Sequence, residues 1–190
     1  MKALLSACYF GGISVLLFAC GNPAPKPTAP GEEKMSKPAL QMEIGRLEAG
    51  LFKSKSLSPD TPVALKVVAL YEDYVMRFAG DSLCPKYLFK AGELSLNAGK
   101  PQQAIRFFKI LSDRYTTSAK APYALFLQGF IYETKLNSYG KASELYETIL
   151  RQHPAHQAAK DAAACLRNMG QSDQELIRQF EKKAAPTPHS

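Results

Sequence analysis

The chain has 190 residues and a formal charge of +7, with 46% hydrophobic residues, 9 Tyr, 10 Phe and no Trp. That length holds one principal domain with appendages, and that much apolar sequence excludes a wholly disordered chain. The basic balance suits an anionic membrane surface or an acidic partner, but no dense Lys/Arg run marks a nucleic-acid footprint, so nucleic acid is not an expected partner.

Residues 1–19 are the first expected element. Lys2 supplies a positive start, and Ala3 to Phe18 is apolar apart from Ser6, Ser14 and Gly11-Gly12. This is the profile of a secretory signal peptide. A membrane span needs about 20 apolar residues. This run is shorter, and proline-rich sequence follows it in place of a basic stop-transfer cluster. Leu17-Phe18-Ala19-Cys20 resembles the bacterial lipobox, with Phe18 bulkier than the usual residue there. The resemblance implies cleavage before Cys20, a diacylglyceryl thioether on its sulfur and a further acyl chain on its amine. Each buried CH₂ contributes about 0.8 kcal/mol, so two or more chains give stable anchoring. Gly21 and Asn22 place no acidic residue directly behind the cysteine. By the same resemblance, that favours the outer membrane over the inner, with the domain in the periplasm. Cleavage removes only Lys2 among the charged residues, so the mature chain stays basic.

Residues 20–39 comprise the lipidated cysteine and a tether. Pro23, Pro25, Pro27, Pro30 and Pro38 oppose helix and strand ladders. An extended, partly polyproline stretch at about 3.1 Å per residue holds a domain up to roughly 50–60 Å from a bilayer.

From residue 40 to 183 the chain changes character and reads as one helical repeat domain. A shift of 37 places Val67 on Ala104, Tyr71 on Phe108, Phe78 on Tyr115, Asp81 on Ser118, Pro85 on Pro122 and Gly92 on Gly129. A shift of 38 then places Ala104 on Ala142, Phe108 on Tyr146, Tyr115 on His153 and Ala124 on Ala162. Three copies lie between about 63 and 169, and a fixed period of this length signals a solenoid. Each copy reads as two helices. Val63, Val67, Leu70, Tyr74 and Phe78 share one helical face, with Thr61 as N-cap and Pro62 in the first turn. The next helices run from about Pro85 to Ala98, from Pro101 with Ala104, Phe108 and Leu111 inward, and from Pro122 to about Leu136. Lys141 to His153 follows, with Ala142, Tyr146 and Ile149 inward and a Glu147–Arg151 pair outside. Residues 155–169 are Ala-rich, and Ser172-x-x-Glu175 is a capping box for a last helix to about Lys183. Leu40 to about Phe52 is a leading helix, and 184–190 is an expected disordered tail. No stretch alternates with period two, so the fold class is all-α.

This repeated helix pair resembles the tetratricopeptide repeat (TPR), a protein-binding family. There, small residues on facing helices let them approach, and an aromatic sits four residues past the second helix's Ala. Gly92, Ala104 and Phe108 match within one unit; Gly129, Tyr132, Ala142, Tyr146 and Pro154 match in the next. Leu88 and Leu125 depart from the family's Trp-like residue, and Thr116 from its Pro. The long link Thr116–Ala121 is similar to repeats of periplasmic envelope-assembly lipoproteins. The resemblance implies a TPR-like α-solenoid whose first helices line a partner-binding concave face. Lys86, Phe89, Lys90, Glu93 and Asn97, and then Tyr123, Phe126, Phe130, Glu133 and Thr134, are its candidate contacts. The implied function is a lipid-anchored adaptor for another envelope protein. The alternative is a structural subunit of an outer-membrane assembly complex held by its solenoid edges, with Leu176, Ile177 and Phe180 apolar.

Residues 122–136 are apolar on nearly every side. Such a helix is buried all round, or it is covered by something absent from the isolated domain. Phe126 and Phe130 are therefore either core, covered by flanking helices, or an anchor pocket. The remaining constellations carry little chemistry. Cys84 and Cys165 read as plain buried thiols in preference to a disulfide. His153 and His156 flank Pro154, which breaks the helix between them, and no cluster completes a metal site. No phosphate loop, nucleophile elbow or zinc-protease motif occurs. No enzyme, cofactor, metal or small-molecule substrate is expected.

Overall fold

The computed structural model describes residues 34–53 and 62–171, with side chains described only through Leu51 in the first stretch. The expected signal peptide, Cys20, nearly all of the tether, Thr61, the helix from Ser172 and the tail lie outside the described residues. The chain divides into a unit Met1–Lys34 and a unit Met35–Ser190, and the account below concerns the second.

Among the described residues seven helices follow in order: α1 Lys37–Lys53, α2 Pro62–Arg77, α3 Cys84–Asn97, α4 Pro101–Arg114, α5 Ala121–Thr134, α6 Tyr139–Gln152 and α7 Gln157–Asn168. No strand occurs among the described residues. Each helix packs on its chain neighbours, and α5 also meets α7. The fold is an all-α, TPR-like solenoid of helix hairpins, as the repeat implied.

α1 begins earlier than expected. Lys37, Pro38 and Ala39 form its first turn rather than the end of the tether. Pro38 is tolerated there because a first-turn N–H has no intrahelical partner. Ser36 supports the start, its carbonyl accepting from Leu40 N at 2.9 Å.

The inward face of α2 is turned from the expected one. Ala64, Val67, Val68, Tyr71, Tyr74 and Val75 are buried, whereas Val63 is 40% exposed and Leu70 only half-buried. Both α1 and α3 press on α2. The buried stripe is therefore wider than one row of fourth residues and centres on Tyr71. α5 ends at Thr134, short of Leu136, and α6 starts at Tyr139 rather than Lys141. The expected Glu147–Arg151 pair is absent: Ser143 Oγ donates to Glu147 at 3.1 Å, and Arg151 donates to Thr148 Oγ1 at 3.1 Å.

Two close approaches set the hairpins. A Cβ on Gly92 would lie 2.5 Å from the Phe108 ring, and one on Gly129 would lie 2.7 Å from the Tyr146 ring. Only glycine lets these aromatic rings approach the preceding helix so closely. α3 ends at a left-handed Gly99, φ +68°, whose N–H donates to Leu96 O at 3.0 Å.

The links between hairpins repeat as well. Asp81 Oδ1 accepts from Leu83 N at 2.8 Å, Ser118 Oγ from Lys120 N at 3.2 Å and His156 Nδ1 from Ala158 N at 3.1 Å. These three residues fall on one another under the shifts of 37 and 38. Each satisfies an N–H at the entrance of α3, α5 or α7 that the helix itself leaves orphaned. His156 is thus a helix-start acceptor, not merely a loop residue.

Candidate functional site

The odd-numbered helices share one face and the even-numbered helices the other. Lys90 of α3 reaches Glu48 of α1 at 2.8 Å, Lys120 at the start of α5 covers the Phe89 ring of α3 at 4.3 Å, and α5 and α7 border a common cleft. On the opposite face Arg106 of α4 pairs with Glu72 of α2 at 2.6 Å. All ten expected contact residues lie on α3 and α5, but their surroundings differ.

On α3, Lys86, Glu93 and Asn97 are exposed. Lys86 and Lys120 border a cleft of about 640 Å³ between the α2–α3 and α4–α5 links. Phe89 is half-buried, edge-on to Phe108 at 5.7 Å and covered by the Lys120 ammonium. Lys90 is bound to Glu48. Burial pushes the Glu48 carboxyl up, but the hydrogen bonds from Lys90 and Tyr71 outweigh it and hold it below its ordinary value. Although Glu93 is exposed as a residue, partial desolvation raises its carboxyl, against the pull of Lys120 and Lys90.

On α5, Tyr123 is 37% exposed and edge-on to His156 at 4.7 Å. Phe126 is half-buried, 5.7 Å from the Tyr146 ring and stacked on Phe130 at 6.3 Å. Phe130 is 37% exposed. Flanking helices therefore cover Phe126 in part and leave Phe130 open. Phe130, Glu133 and Thr134 line a cleft of about 510 Å³ with Tyr139, Ala164, Cys165 and Asn168. Glu133 accepts the Tyr146 hydroxyl at 2.7 Å, and Thr134 donates to Phe130 O at 2.7 Å. Burial, then Glu133, raises the Tyr146 phenol far above its ordinary value.

The apolar character of α5 is largely consumed by packing. Ala121, Pro122, Ala124, Gly129 and Ile131 are buried, and buried Gln128 donates to Ser112 Oγ at 3.1 Å and to Ala124 O at 3.2 Å. Sequence reasoning did not select Glu48, Lys120, Tyr139, Cys165 or Asn168. Lys120 lies just before α5 and Tyr139 at the first position of α6, where their reach depends on the preceding turn. The two thiols are separate: Cys84 Sγ donates to Phe78 O at 3.1 Å, and Cys165 is half-buried beside Tyr146.

A stacked set of helix hairpins with one open, partly aromatic face is the architecture of a helical-repeat binding module. A family model described as a tetratricopeptide repeat matches residues 86–118, which span α3, α4 and the link after them. The match makes α3 the first helix of a unit, so α1 with α2, and α5 with α6, are the corresponding pairs. Repeats of this kind suggest a protein–protein interaction scaffold. No curated protein matches the chain.

Proposed function

We propose that the protein is a lipid-anchored adaptor of the bacterial cell envelope, binding a segment of another envelope protein on the face of its odd-numbered helices. The observation that carries the binding half is the α5–α7 cleft, where Phe130 is 37% exposed and stacked on Phe126. A partly exposed aromatic, backed by a second ring and bordered by polar groups, has the make-up of an interface anchor. Solenoids of this class are typically non-enzymatic scaffolds. Anchoring rests on the lipobox-like Leu17-Phe18-Ala19-Cys20, and outer-membrane placement on Gly21-Asn22.

The test is affinity capture of the full-length lipidated protein from its own cells. Phe126→Ala with Phe130→Ala should lose the partner while helical circular dichroism persists. Cys20→Ala should release the protein from membranes while soluble capture persists. Capture unchanged by the Phe substitutions would sink the face as the binding site. A second reading, a structural subunit held by its solenoid edge, draws on Met42 at 75% exposure and on Val63 and Leu65 at 40% each, all on the terminal α1–α2 hairpin. It requires that Met42→Lys and Leu65→Lys, not the Phe changes, release the complex.

A further inference from the structure

Glu48 and Glu133 each accept the hydroxyl of a repeat-equivalent tyrosine, although the carboxylates themselves are not equivalent in the repeat, Glu48 falling on Tyr123. In the first hairpin Glu48 accepts the Tyr71 hydroxyl and the ammonium of Lys90, the latter at 2.8 Å from the next odd-numbered helix. Two repeats on, under the successive shifts of 37 and 38, Tyr71 becomes Tyr146 and Lys90 becomes Cys165. Tyr146 donates to Glu133 at 2.7 Å, as Tyr71 donates to Glu48. Cys165 lies beside them but brings no charge. Among the described residues no Lys or Arg forms an ion pair with Glu133. The half-buried carboxylate instead borders the α5–α7 cleft, which Phe130 and Tyr139 also line.

We propose that this cleft receives a Lys or Arg side chain from a segment of the partner protein, with the cation on Glu133 and the aliphatic stem against Phe130 and Tyr139. The incoming cation takes the place that Lys90 holds in the first hairpin. This rests on the reading of the odd-helix face as the binding face, and it names the chemistry that face selects. A purely apolar segment laid over the cleft would strip water from Glu133 without compensation, and an uncompensated buried charge is strongly unfavourable. A cation removes that penalty, while its methylene stem and the ring faces add apolar and cation–π contact. Selectivity thus arises as much from a carboxylate with no ion-pair partner among the described residues rejecting apolar segments as from attraction.

The probes are two acetylated, amidated Leu/Ala peptides, one with a single central Arg and its twin with norleucine there, titrated into the full chain. The Arg peptide should bind about ten-fold tighter or more, the difference expected of a charged hydrogen bond. Glu133→Gln keeps an acceptor for Tyr146 and should bring both peptides to the same affinity. Cys165→Lys, which restores the internal lysine, should do likewise by a separate route. Equal affinities on the native chain, still reduced by Phe130→Ala, would overturn the cation assignment and leave the face intact. A preference that survives Glu133→Gln would also overturn it. If Arg178→Gln, Lys182→Gln and Lys183→Gln together raise affinity for the Arg peptide, the chain's own C-terminal cations fill the cleft and the partner assignment fails. Binding of neither peptide, to the native chain or to that triple variant, would overturn the assignment and the face together.

Discussion

Among the described residues the solenoid has two cores, and they are built from different side chains. Between α1 and α5 the buried set includes Tyr71, Tyr74, Tyr87, Phe107, Phe108 and Leu111, with Tyr71 stacked on Tyr87 at 5.0 Å and Tyr74 edge-on to Tyr87 at 4.9 Å. Between α6 and α7 the buried set is Tyr146 and Ile149 against alanines, and every buried residue of α7 is alanine. Alanine lets helices approach closely but removes little apolar surface from water, whereas each aromatic buries roughly 150–250 Å². The first core therefore dominates stability. On the described residues, the second end is expected to open at lower free energy. It is also the end that carries the α5–α7 cleft, so the proposed binding surface lies where, among the described residues, less apolar surface is buried.

The largest expected effect comes from filling the two close approaches. Gly92→Val drives a side chain into the Phe108 ring, itself held by Phe89, and should destabilise the domain by about 3 kcal/mol in urea unfolding. Gly129→Val should be smaller, roughly 1–2 kcal/mol, with faster amide exchange confined to α6 and α7. Uniform exchange across all helices in Gly129→Val would mean that the two cores unfold as one, and the comparison would break.

The next effect concerns the carboxylate that is paired against the one that is not. Glu48 is held below its ordinary value of 4.5. Its bonds with Lys90 and Tyr71 therefore stabilise the fold fully above that value, and the benefit is lost as pH falls through the depressed folded one. Lys90→Met should lower stability by about 1 kcal/mol at pH 7 and by little at pH 2, flattening this part of the acid profile. An unchanged profile would show that Tyr71 alone satisfies Glu48.

The smallest effect is a gain within the first core. Ser95 is 1% exposed, and its Oγ has no hydrogen-bond partner among the described residues. Ser95→Ala removes that unsatisfied hydroxyl and improves helix propensity, so it should stabilise by about 1 kcal/mol in the same urea series. A loss on Ser95→Ala would point to a buried water serving the hydroxyl.

Elements and period were legible because glycine, proline and aromatic positions recur where the backbone leaves no choice. Gly92 and Gly129 must lack a side chain to admit a ring, and Pro101 starts a helix where no N–H is needed. The start-of-helix acceptor was legible only in part. Asp81 and Ser118 are ordinary acceptors, but His156 disguises the third instance because an imidazole ring plays the role of a short oxygen side chain. Side-chain rotation on α2 was not legible, since the burial of Val68 and exposure of Val63 depend on two neighbouring helices at once.

By itself, then, the sequence determined an all-α repeat, the residues that let its helices approach, and which helices carry the candidate face. Those features follow from local sterics and from a period short enough to read along one chain. Tertiary structure alone decided how the ten candidates divide. It joined Lys90 to Glu48 across residues far apart in the chain, covered Phe89 with Lys120, and left Phe130 and Glu133 on an open cleft. The pairing of a charge depends on what a third helix brings within about 4 Å, and no periodicity along the chain encodes that distance.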